Sequence, residues 1–333
     1  MTLFEMHDVG VDIPLARGIL SSLSGREPPA LNILDGITLD LRAGETLGLV
    51  GESGSGKTTL ARAMLGLLPS RGEMRFQGAS LVPAALRRVT AMMFQDPVAS
   101  LSPRMRVGDA VCEPYVIQGI PRNRRRSAAE LLAGVGLPPS LVSRYPHELS
   151  GGQARRVCTA RALALDPALV IADEPTAGLD VSIQGDILNL MADLKRERGI
   201  GLMVITHNLP VIRHSAERIA VLYLGRLVET GPTAEVFVRP AHPYTASLVA
   251  AQPNPDPRKR RADLAIKGEI PSLLRRPPGC PFHTRCPVAR DLCARVAPPE
   301  IHISAGRRVH CHFPLVQPGQ ECRQDQSRGR TRT

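Results

Sequence analysis

The feature that most constrains the fold of this chain is a glycine- and serine-rich segment at residues 51–58. It reads Gly-Glu-Ser-Gly-Ser-Gly-Lys-Thr, which fits the P-loop pattern of Gly, any four residues, and then Gly-Lys followed by Ser or Thr. A short apolar run precedes it at residues 46–50, and a helical pattern follows at residues 57–68. A strand, a glycine loop and a helix in this order form the frame of a phosphate-binding turn.

Each residue type in this segment suits the binding of a nucleoside triphosphate. Glycine lets the backbone fold so that its N–H groups face the phosphates, and the start of the following helix adds its positive dipole end. We expect Lys57 to reach the outer phosphates and Thr58 to bind Mg²⁺. The predicted phosphate-binding residues are Gly51, Ser53, Gly54, Ser55, Gly56, Lys57, Thr58 and Thr59.

A pair of carboxylates at the end of a second apolar strand adds to this prediction. Residues 169–172 read Leu-Val-Ile-Ala, and Asp173 and Glu174 follow them. We expect Asp173 to hold Mg²⁺ through water and Glu174 to act as the general base on the attacking water. An acidic pair after a strand is a weak signal alone, but together with the P-loop it becomes a strong one.

The order of the elements predicts an α/β fold with a largely parallel sheet. Buried-type strands at residues 169–172 and 202–206 enclose a helical pattern that Asp180 can cap and Gly199 ends. A hairpin is predicted over residues 219–229. Strands that alternate with helices in this way imply parallel pairing.

Composition divides the chain into parts. Residues 97–150 are polar, Arg-rich and mostly helical in pattern, which indicates an inserted helical subdomain. After residue 231 Pro and Cys become frequent, as in a loop-rich module. We therefore predict an ATPase domain at residues 1–231 with the insert at about 97–150, a C-terminal extension at 232–320, and a disordered tail at 321–333.

The sequence Leu-Ser-Gly-Gly-Gln at residues 149–153 resembles the signature of ABC ATPases and matches it in full. A Ser followed by two Gly at a helix start offers a hydroxyl and bare N–H groups to an anion. The resemblance implies a P-loop ABC ATPase domain with a mixed sheet core and an inserted helical subdomain. It also implies contact with the γ-phosphate bound by the opposite subunit, through Ser150, Gly151, Gly152 and Gln153.

Further positions match the same family. The resemblance implies that Gln95 senses Mg²⁺ and faces the membrane subunit, and that His207 contacts the γ-phosphate. The loop at residues 178–180 resembles the one that crosses the dimer interface. There are two departures: Ile13 stands where the family often stacks an aromatic ring on adenine, and Ala154 follows the signature where a polar or basic residue is expected.

Longer segments resemble the ATPases of oligopeptide, dipeptide and nickel importers. They lie at residues 94–104, 145–149, 223–231, 242–245 and 279–287. The resemblance implies an ATP-hydrolysing subunit that powers an ABC importer, with peptides as the expected cargo and nickel or another small solute as the alternative. It also implies a second ABC ATPase subunit of a different chain, two membrane permease subunits and an extracytoplasmic solute-binding protein as partners.

Four cysteines of the C-terminal extension form a candidate metal site, namely Cys280, Cys286, Cys293 and Cys311. Four thiolates can enclose an iron–sulfur cluster or a Zn²⁺ ion. The spacing is not that of a zinc finger, and several importer subunits that resemble this chain carry a [4Fe–4S] cluster in this extension. We expect a structural cluster here, with Zn²⁺ or four free thiols as alternatives.

Charge and hydropathy limit where in the cell the protein is expected to act. The formal net charge of +11 suits nucleic acid, anionic lipid or a phosphate ligand. We interpret the basic clusters as solvated faces or linkers, and expect no direct binding of nucleic acid. No apolar run approaches the ~18–20 residues of a transmembrane helix, and residues 1–11 lack a signal-peptide pattern. We therefore expect a peripheral protein at the cytoplasmic face of the membrane.

Two rival functions remain for a chain with these motifs. A soluble ABC ATPase of DNA repair or translation would fit the basic charge, but such proteins usually have two cassettes or a long coiled-coil insertion, and this sequence has neither. A catalytically inactive regulatory subunit is disfavoured by the presence of Lys57, Asp173, Glu174 and His207.

Overall fold

The computed structural model describes residues 1–14, 30–94, 96–97, 99–252 and 268–319. The strands of these residues are β1 (Thr2–Pro14), β2 (Ala30–Arg42), β3 (Thr46–Val50), β4 (Arg71–Phe76), β5 (Ala79–Ser80), β6 (Thr90–Met93), β7 (Leu169–Asp173), β8 (Gly201–Ile205), β9 (Arg218–Tyr223), β10 (Arg226–Pro232), β11 (Glu300–Ser304) and β12 (Arg307–His310). The α-helices are α1 (Lys57–Met64), α2 (Pro83–Val89), α3 (Val107–Ile117), α4 (Ala128–Ala133), α5 (Gly151–Ala162), α6 (Val181–Arg198), α7 (Leu209–Ser215), α8 (Thr233–Val238), α9 (Pro243–Ala250) and α10 (Asp291–Arg295). Short 3₁₀ helices cover Arg122–Arg124, Pro139–Ser143, Pro146–Glu148 and Leu273–Arg275.

The central sheet is built on parallel strands in the order β6, β7, β8, β3, β9. Every residue of β3, β7 and β8 is buried, as expected for parallel strands that are covered on both faces. Successive side chains enter opposite layers, so Leu169 and Ile171 pack in one core while Val170 and Ala172 pack in the other. The predicted parallel α/β core is confirmed.

The carboxyl ends of three neighbouring strands place the key residues at one edge of this sheet. Strand β8 lies between β3 and β7, and its Ile205 pairs with Leu49 on one side and with Asp173 on the other. The glycine loop after β3, Glu174 after β7 and Thr206 after β8 therefore emerge side by side.

A second, antiparallel sheet has the strand order β2, β1, β4, β5. Together with α1 it packs on one face of the central sheet, in a core that includes Phe4, Leu39, Leu47 and Leu60. Strand β2 lies at the edge of this sheet, which brings it next to β10 and α1.

Helices α3, α4 and α5 pack on one another, as the helical pattern before residue 150 predicts. Ser127 and Glu130 form the capping box that starts α4. Asp180 caps α6 by accepting from the backbone N–H of Ile183, and Gly199 ends that helix in the left-handed conformation, with φ of 65°. These local predictions are confirmed.

The C-terminal extension is less independent than its loop-rich composition indicates. Its strand β12 pairs antiparallel with β10, and β11 pairs with β12, so both extend the central sheet. Arg307 of β12 donates to the carboxylate of Glu229 in β10 at 2.8 Å, and both side chains are buried. Glu229 also accepts from the backbone N–H groups of Ala241 and His242, so the charge is fully bonded.

Candidate nucleotide site

The glycine loop connects β3 to α1 and has room for a ligand. Gly54 and Gly56 have φ of 77° and 105°, which residues with a side chain rarely adopt. A Cβ atom on Gly56 would lie 2.8 Å from the side chain of Leu34, whereas Gly54 has open space beside it. The buried hydroxyl of Ser55 has no hydrogen-bond partner among the described residues.

Lys57 lies folded back over this loop. Its ammonium group donates to the backbone oxygens of Gly51 at 2.7 Å and of Glu52 at 2.9 Å. Burial lowers the pKa of Lys57, and the nearby carboxylates of Glu174 and Asp173 oppose that shift. A partly desolvated cation at this point favours the arrival of an anionic ligand.

Asp173 and Thr58 place two oxygen atoms together at the base of the loop. Thr58 Oγ1 donates to Asp173 Oδ2 at 2.9 Å, and Asp173 is buried. Burial raises the pKa of Asp173, although the bond from Thr58 works in the opposite direction. A carboxylate and a hydroxyl are hard oxygen ligands, so this pair fits Mg²⁺ beside a phosphate.

Glu174 has its carboxylate held from several sides. Thr206 Oγ1 donates to Oε2 at 2.8 Å, and the backbone N–H of His207 donates to Oε1 at 3.1 Å. The ring Nδ1 of His207 lies 2.6 Å from the same Oε1. Glu174 has a positive φ of 49°, and its backbone N–H donates to Ile205 at 2.8 Å. A strained backbone that carries a carboxylate held in one orientation is typical of a catalytic position.

One cavity of about 720 Å³ joins these groups. Its described lining consists of Ile33, Ser53, Gly54, Gly56, Lys57, Thr58, Thr59, Asp173, Glu174, His207 and Leu273. The P-loop and carboxylate residues predicted from separate parts of the sequence thus meet at one place. Gln95 lies outside the described residues.

The signature residues do not line this cavity. Ser150 caps α5 by accepting from the backbone N–H of Gln153, and Gln153 accepts in return from the N–H of Ser150. Ser150 and Gly151 are exposed, and the space beside Gly151 is open. This helix start is therefore free to approach a ligand on another molecule.

Two family models match the chain. One described as "ABC transporter" matches residues 34–177, and one described as "Oligopeptide/dipeptide transporter, C-terminal region" matches residues 228–293. A Sinorhizobium fredii protein named as a peptide ABC transporter ATP-binding protein is 45% identical over 293 residues, which cover 85% of this chain and 83% of that protein. A Brucella abortus protein named as a peptide import ATP-binding protein is 46% identical over 293 residues, with coverages of 85% and 87%.

The chain belongs to the family of ABC transporter ATP-binding proteins.

Solved structures agree with this assignment. The chain cbiO1 from Clostridium perfringens, part of the ABC transporter complex cbiONQ, has a TM-score of 0.57 and 26% identity, covering 70% of this ABC ATPase and 91% of that chain. The ATP-binding cassette MJ0796, solved as a dimer in a post-hydrolysis state with ADP and Pi, has a TM-score of 0.58 and 26% identity, with coverages of 69% and 99%. No helix in the described part of the chain is long and apolar enough to cross a bilayer.

The apolar wall of the nucleotide cavity differs from the one expected for this ABC ATPase. Ile33 lines the cavity, and Ile13 does not. Ile13 lies in β1, where it pairs with Leu31 of β2. Leu273, from the C-terminal extension, is the second apolar lining residue among those described, and no sequence pattern marks it.

Arg155 of the ABC ATPase has a role that the family pattern did not indicate. It lies in α5 just after the signature and is buried. Its guanidinium donates to the backbone oxygens of Glu174 at 3.1 Å and Ala177 at 3.2 Å, and also to Pro175. These bonds join α5 to the segment that follows β7.

A further cavity of about 740 Å³ opens beside the helical region. It is lined by residues near the nucleotide site, including Thr58 and Asp173, and by residues of and after α3, including Ile117 and Gln118. Phe94 and Ile117 are exposed apolar side chains there. This surface connects the nucleotide site with the helical part of the ABC ATPase.

The four cysteines of the extension line one small cavity of about 20 Å³. Burial raises the pKa of Cys280, that of Cys286 to about 11 and that of Cys311 to about 12, so these thiols are protonated at neutral pH in this geometry. Within the described residues, no group of three or more His, Cys, Asp or Glu side chains has a metal-binding arrangement. The four cysteines line one cavity, as the candidate site requires, but their side chains are not arranged around a common point as metal ligands would be.

Proposed function

We propose that this ABC ATPase powers a peptide importer by hydrolysing Mg–ATP at the interface of two cassettes. The observation that carries the proposal is the single cavity in which Lys57, Asp173 and Glu174 meet beside the glycine loop. The peptide cargo is supported by the match of residues 228–293 to an oligopeptide and dipeptide transporter region and by the names of the relatives.

The glycine loop holds the phosphates of ATP. Backbone N–H groups of Gly54 and Gly56 and the Lys57 ammonium supply donors, and Lys57 exchanges its bonds to Gly51 and Glu52 for phosphate oxygens. Ser53, Thr59 and Gly51 complete the loop. Thr58 and Asp173 hold Mg²⁺, which neutralises phosphate charge when it is bound.

Glu174 orients the attacking water and accepts its proton. Thr206 and His207 hold the carboxylate, so no side-chain reorganisation is needed at the moment of reaction. His207 stands at the lining of the cavity, where contact with the γ-phosphate is within its range. Gln95 completes the set, as the resemblance implies, by sensing Mg²⁺.

The second half of the site comes from a partner cassette. Ser150, Gly151, Gly152 and Gln153 are absent from the lining of this chain's own cavity and stand at an exposed helix start. They bind the γ-phosphate held by the partner, while the partner's signature closes this cavity. We propose a different ABC ATPase chain as this partner.

The cavity beside α3 is the docking surface for a membrane permease subunit. Exposed apolar side chains such as Ile117 suit a protein contact, and the same cavity reaches Thr58 and Asp173 at the nucleotide site. The assembly would contain two permeases and an extracytoplasmic solute-binding protein, with this subunit at the cytoplasmic face of the membrane. The ATPase domain at residues 1–231, with its helical insert, would carry the docking surface, and residues 232–320 would form the extension.

The cysteine cavity is the proposed place of a [4Fe–4S] cluster, supported by the convergence of Cys280, Cys286, Cys293 and Cys311. Its role would be structural. Anaerobic purification followed by iron, sulfide and zinc analysis and a visible absorption spectrum decides the matter. Four irons with four sulfides support the cluster, one zinc supports Zn²⁺, and neither supports four free thiols.

ATPase activity of the full chain, alone and co-expressed with its partner ATPase and permeases, tests the proposed function. We expect activity to appear or rise in the assembled complex and to be lost in Lys57→Ala. Uptake of labelled peptides against labelled nickel by cells expressing the complex then identifies the cargo. Full activity in the isolated chain that nucleic acid or ribosomes stimulate, and permeases do not, would contradict the proposal.

A further inference from the structure

The nucleotide cavity has one apolar part, and that part determines what can hold the base of the nucleotide. Among the described lining residues, Ile33 and Leu273 are aliphatic, whereas the others are glycines or polar side chains around the phosphate site. A purine ring placed in such a site gains most of its binding free energy from contact with apolar surface. Ile33 belongs to β2, but Leu273 comes from the C-terminal extension, 240 positions later in the same chain.

The extension is bonded to the residues on both sides of Ile33. Arg276 donates to the side-chain oxygen of Asn32 at 2.9 Å and to its backbone oxygen at 3.1 Å. It also lies 3.4 Å from the carboxylate of Asp35. Ser272 caps the 3₁₀ helix Leu273–Arg275 by accepting from the backbone N–H of Leu274. Leu273 is therefore held next to β2 by the contacts that Arg276 makes just after its short helix.

The same part of β2 is also fixed to the glycine loop. Gly225 lies in the turn between β9 and β10. Its N–H donates to the backbone oxygen of Ser55 at 2.9 Å, and its backbone oxygen accepts from the N–H of Asp35 at 2.9 Å. A Cβ atom on Gly225 would lie 1.9 Å from the backbone oxygen of Ile33, so only glycine fits. The position of Leu273 is thereby set relative to the phosphate site, which makes it a defined wall of the pocket.

We propose that Leu273 is a base-contacting residue of the ATP site, and that the adenine ring lies between Leu273 and Ile33. The extension thus completes the nucleotide pocket of its own cassette, in place of the stacked aromatic ring that the family often uses. The proposal rests on ATP being the ligand of this cavity. Because neither aliphatic side chain hydrogen-bonds the base edge, this wall should recognise a purine by its area, with weak discrimination between ATP and GTP.

The test compares ATP with inorganic tripolyphosphate, which has the phosphates but no base. Titration calorimetry on the full chain measures both dissociation constants in Leu273→Ala and in the control Leu274→Ala, whose neighbouring side chain is exposed and does not line the cavity. We expect Leu273→Ala to raise the Kd for ATP about fivefold and to leave that for tripolyphosphate within about twofold. Leu274→Ala should change neither.

A variant that adds contact area distinguishes the loss of an adenine contact from a general loss of structure. Leu273→Phe adds a ring that can stack on adenine, so the Kd for ATP should fall about three- to tenfold while that for tripolyphosphate stays unchanged. The inference is overturned if Leu273→Ala and Leu274→Ala bind ATP alike, or if the Leu273 variants change the affinity for both ligands equally. Failure of the wild-type chain to bind ATP while it folds normally would instead overturn the proposed function.

Discussion

Arg285 offers the sharpest test of how the extension supports the glycine loop. Its guanidinium forms a two-point ion pair with the carboxylate of Glu52, at 2.7 and 3.1 Å, and lies over the ring of Tyr223. Glu52 is a residue of the glycine loop, and its backbone N–H donates to the hydroxyl of Tyr244 at 2.9 Å. Replacing Arg285 with Met removes the charge but keeps most of the aliphatic volume.

The expected cost follows from burial. Arg285 and Glu52 have side-chain exposures of 7% and 19%, so water cannot fully solvate the carboxylate that remains. Removing one partner of a buried ion pair costs about 3–5 kcal/mol, and the partial exposure of Glu52 places this pair near about 3 kcal/mol. For a chain of this size, that cost lowers the melting temperature by about 4 °C. The Kd for ATP should rise severalfold, because Glu52 is part of the phosphate-binding loop.

Differential scanning calorimetry of four variants measures this effect, namely Arg285→Met, Glu52→Gln, the double variant and a surface control. The double variant Glu52→Gln with Arg285→Met carries no unpaired charge, so it should recover much of the loss, with a coupling free energy of about 2 kcal/mol. The control is Arg295→Met, because the pair of Arg295 with Asp291 is 77% and 96% exposed and contributes little. The reasoning is refuted if Arg285→Met melts within about 1 °C of Arg295→Met, or if the two changes at the buried pair are additive.

Three further predictions concern charged and titratable groups. Glu174→Gln should retain ATP binding and ATP-dependent pairing of cassettes while the steady-state rate falls about 10²–10⁴-fold, and near-normal turnover would remove Glu174 as the base. Burial raises the pKa of Asp173, so its ionisation costs stability as the pH rises above the ordinary value of 3.8. Asp173→Asn should therefore raise the melting temperature at pH 7, change it little below pH 3.8 and abolish Mg²⁺-dependent ATP binding; an equal effect at both pH values would contradict this. Burial lowers the pKa of His242 from 6.5 to about 3, so its contribution to stability is complete above pH 6.5 and is lost as the pH falls toward 3. As the pH falls across this range, the urea midpoint should decrease less steeply in His242→Gln than in the wild type. Parallel curves for the two proteins would refute the role of His242 in this pH dependence.

The predicted phosphate site rests on local sequence patterns, because its parts are short. The P-loop is contiguous, and Asp173 and Glu174 directly follow the apolar residues 169–172 of β7, which are recognisable from composition and are buried. Capping residues such as Asp180 and Ser127 act within three positions of their partners. In each case the physical cause and the residue that reveals it lie within a few positions of each other.

The contacts that complete the site join residues far apart in the chain. Arg285 reaches Glu52 across 233 positions, and Arg276 reaches Asn32 across 244. Leu273 is one leucine in a Pro- and Arg-rich stretch, with no periodicity to assign it a partner. A single sequence carries the hydrophobic and capping signals of its elements but not which loop lies over which strand, so Ile33 and Leu273 cannot be recognised from it as residues that line one cavity.

Composition separates the extension from the ATPase core, but the packing does not. Removing residues after 231 would leave the edge of β10 without β12 and would leave Glu229 buried without Arg307. It would also take Arg285 and Tyr244 away from Glu52, a residue of the loop that binds phosphate. Because an unpaired buried charge and an open strand edge each carry a large cost, the extension is best understood as part of the nucleotide site's support.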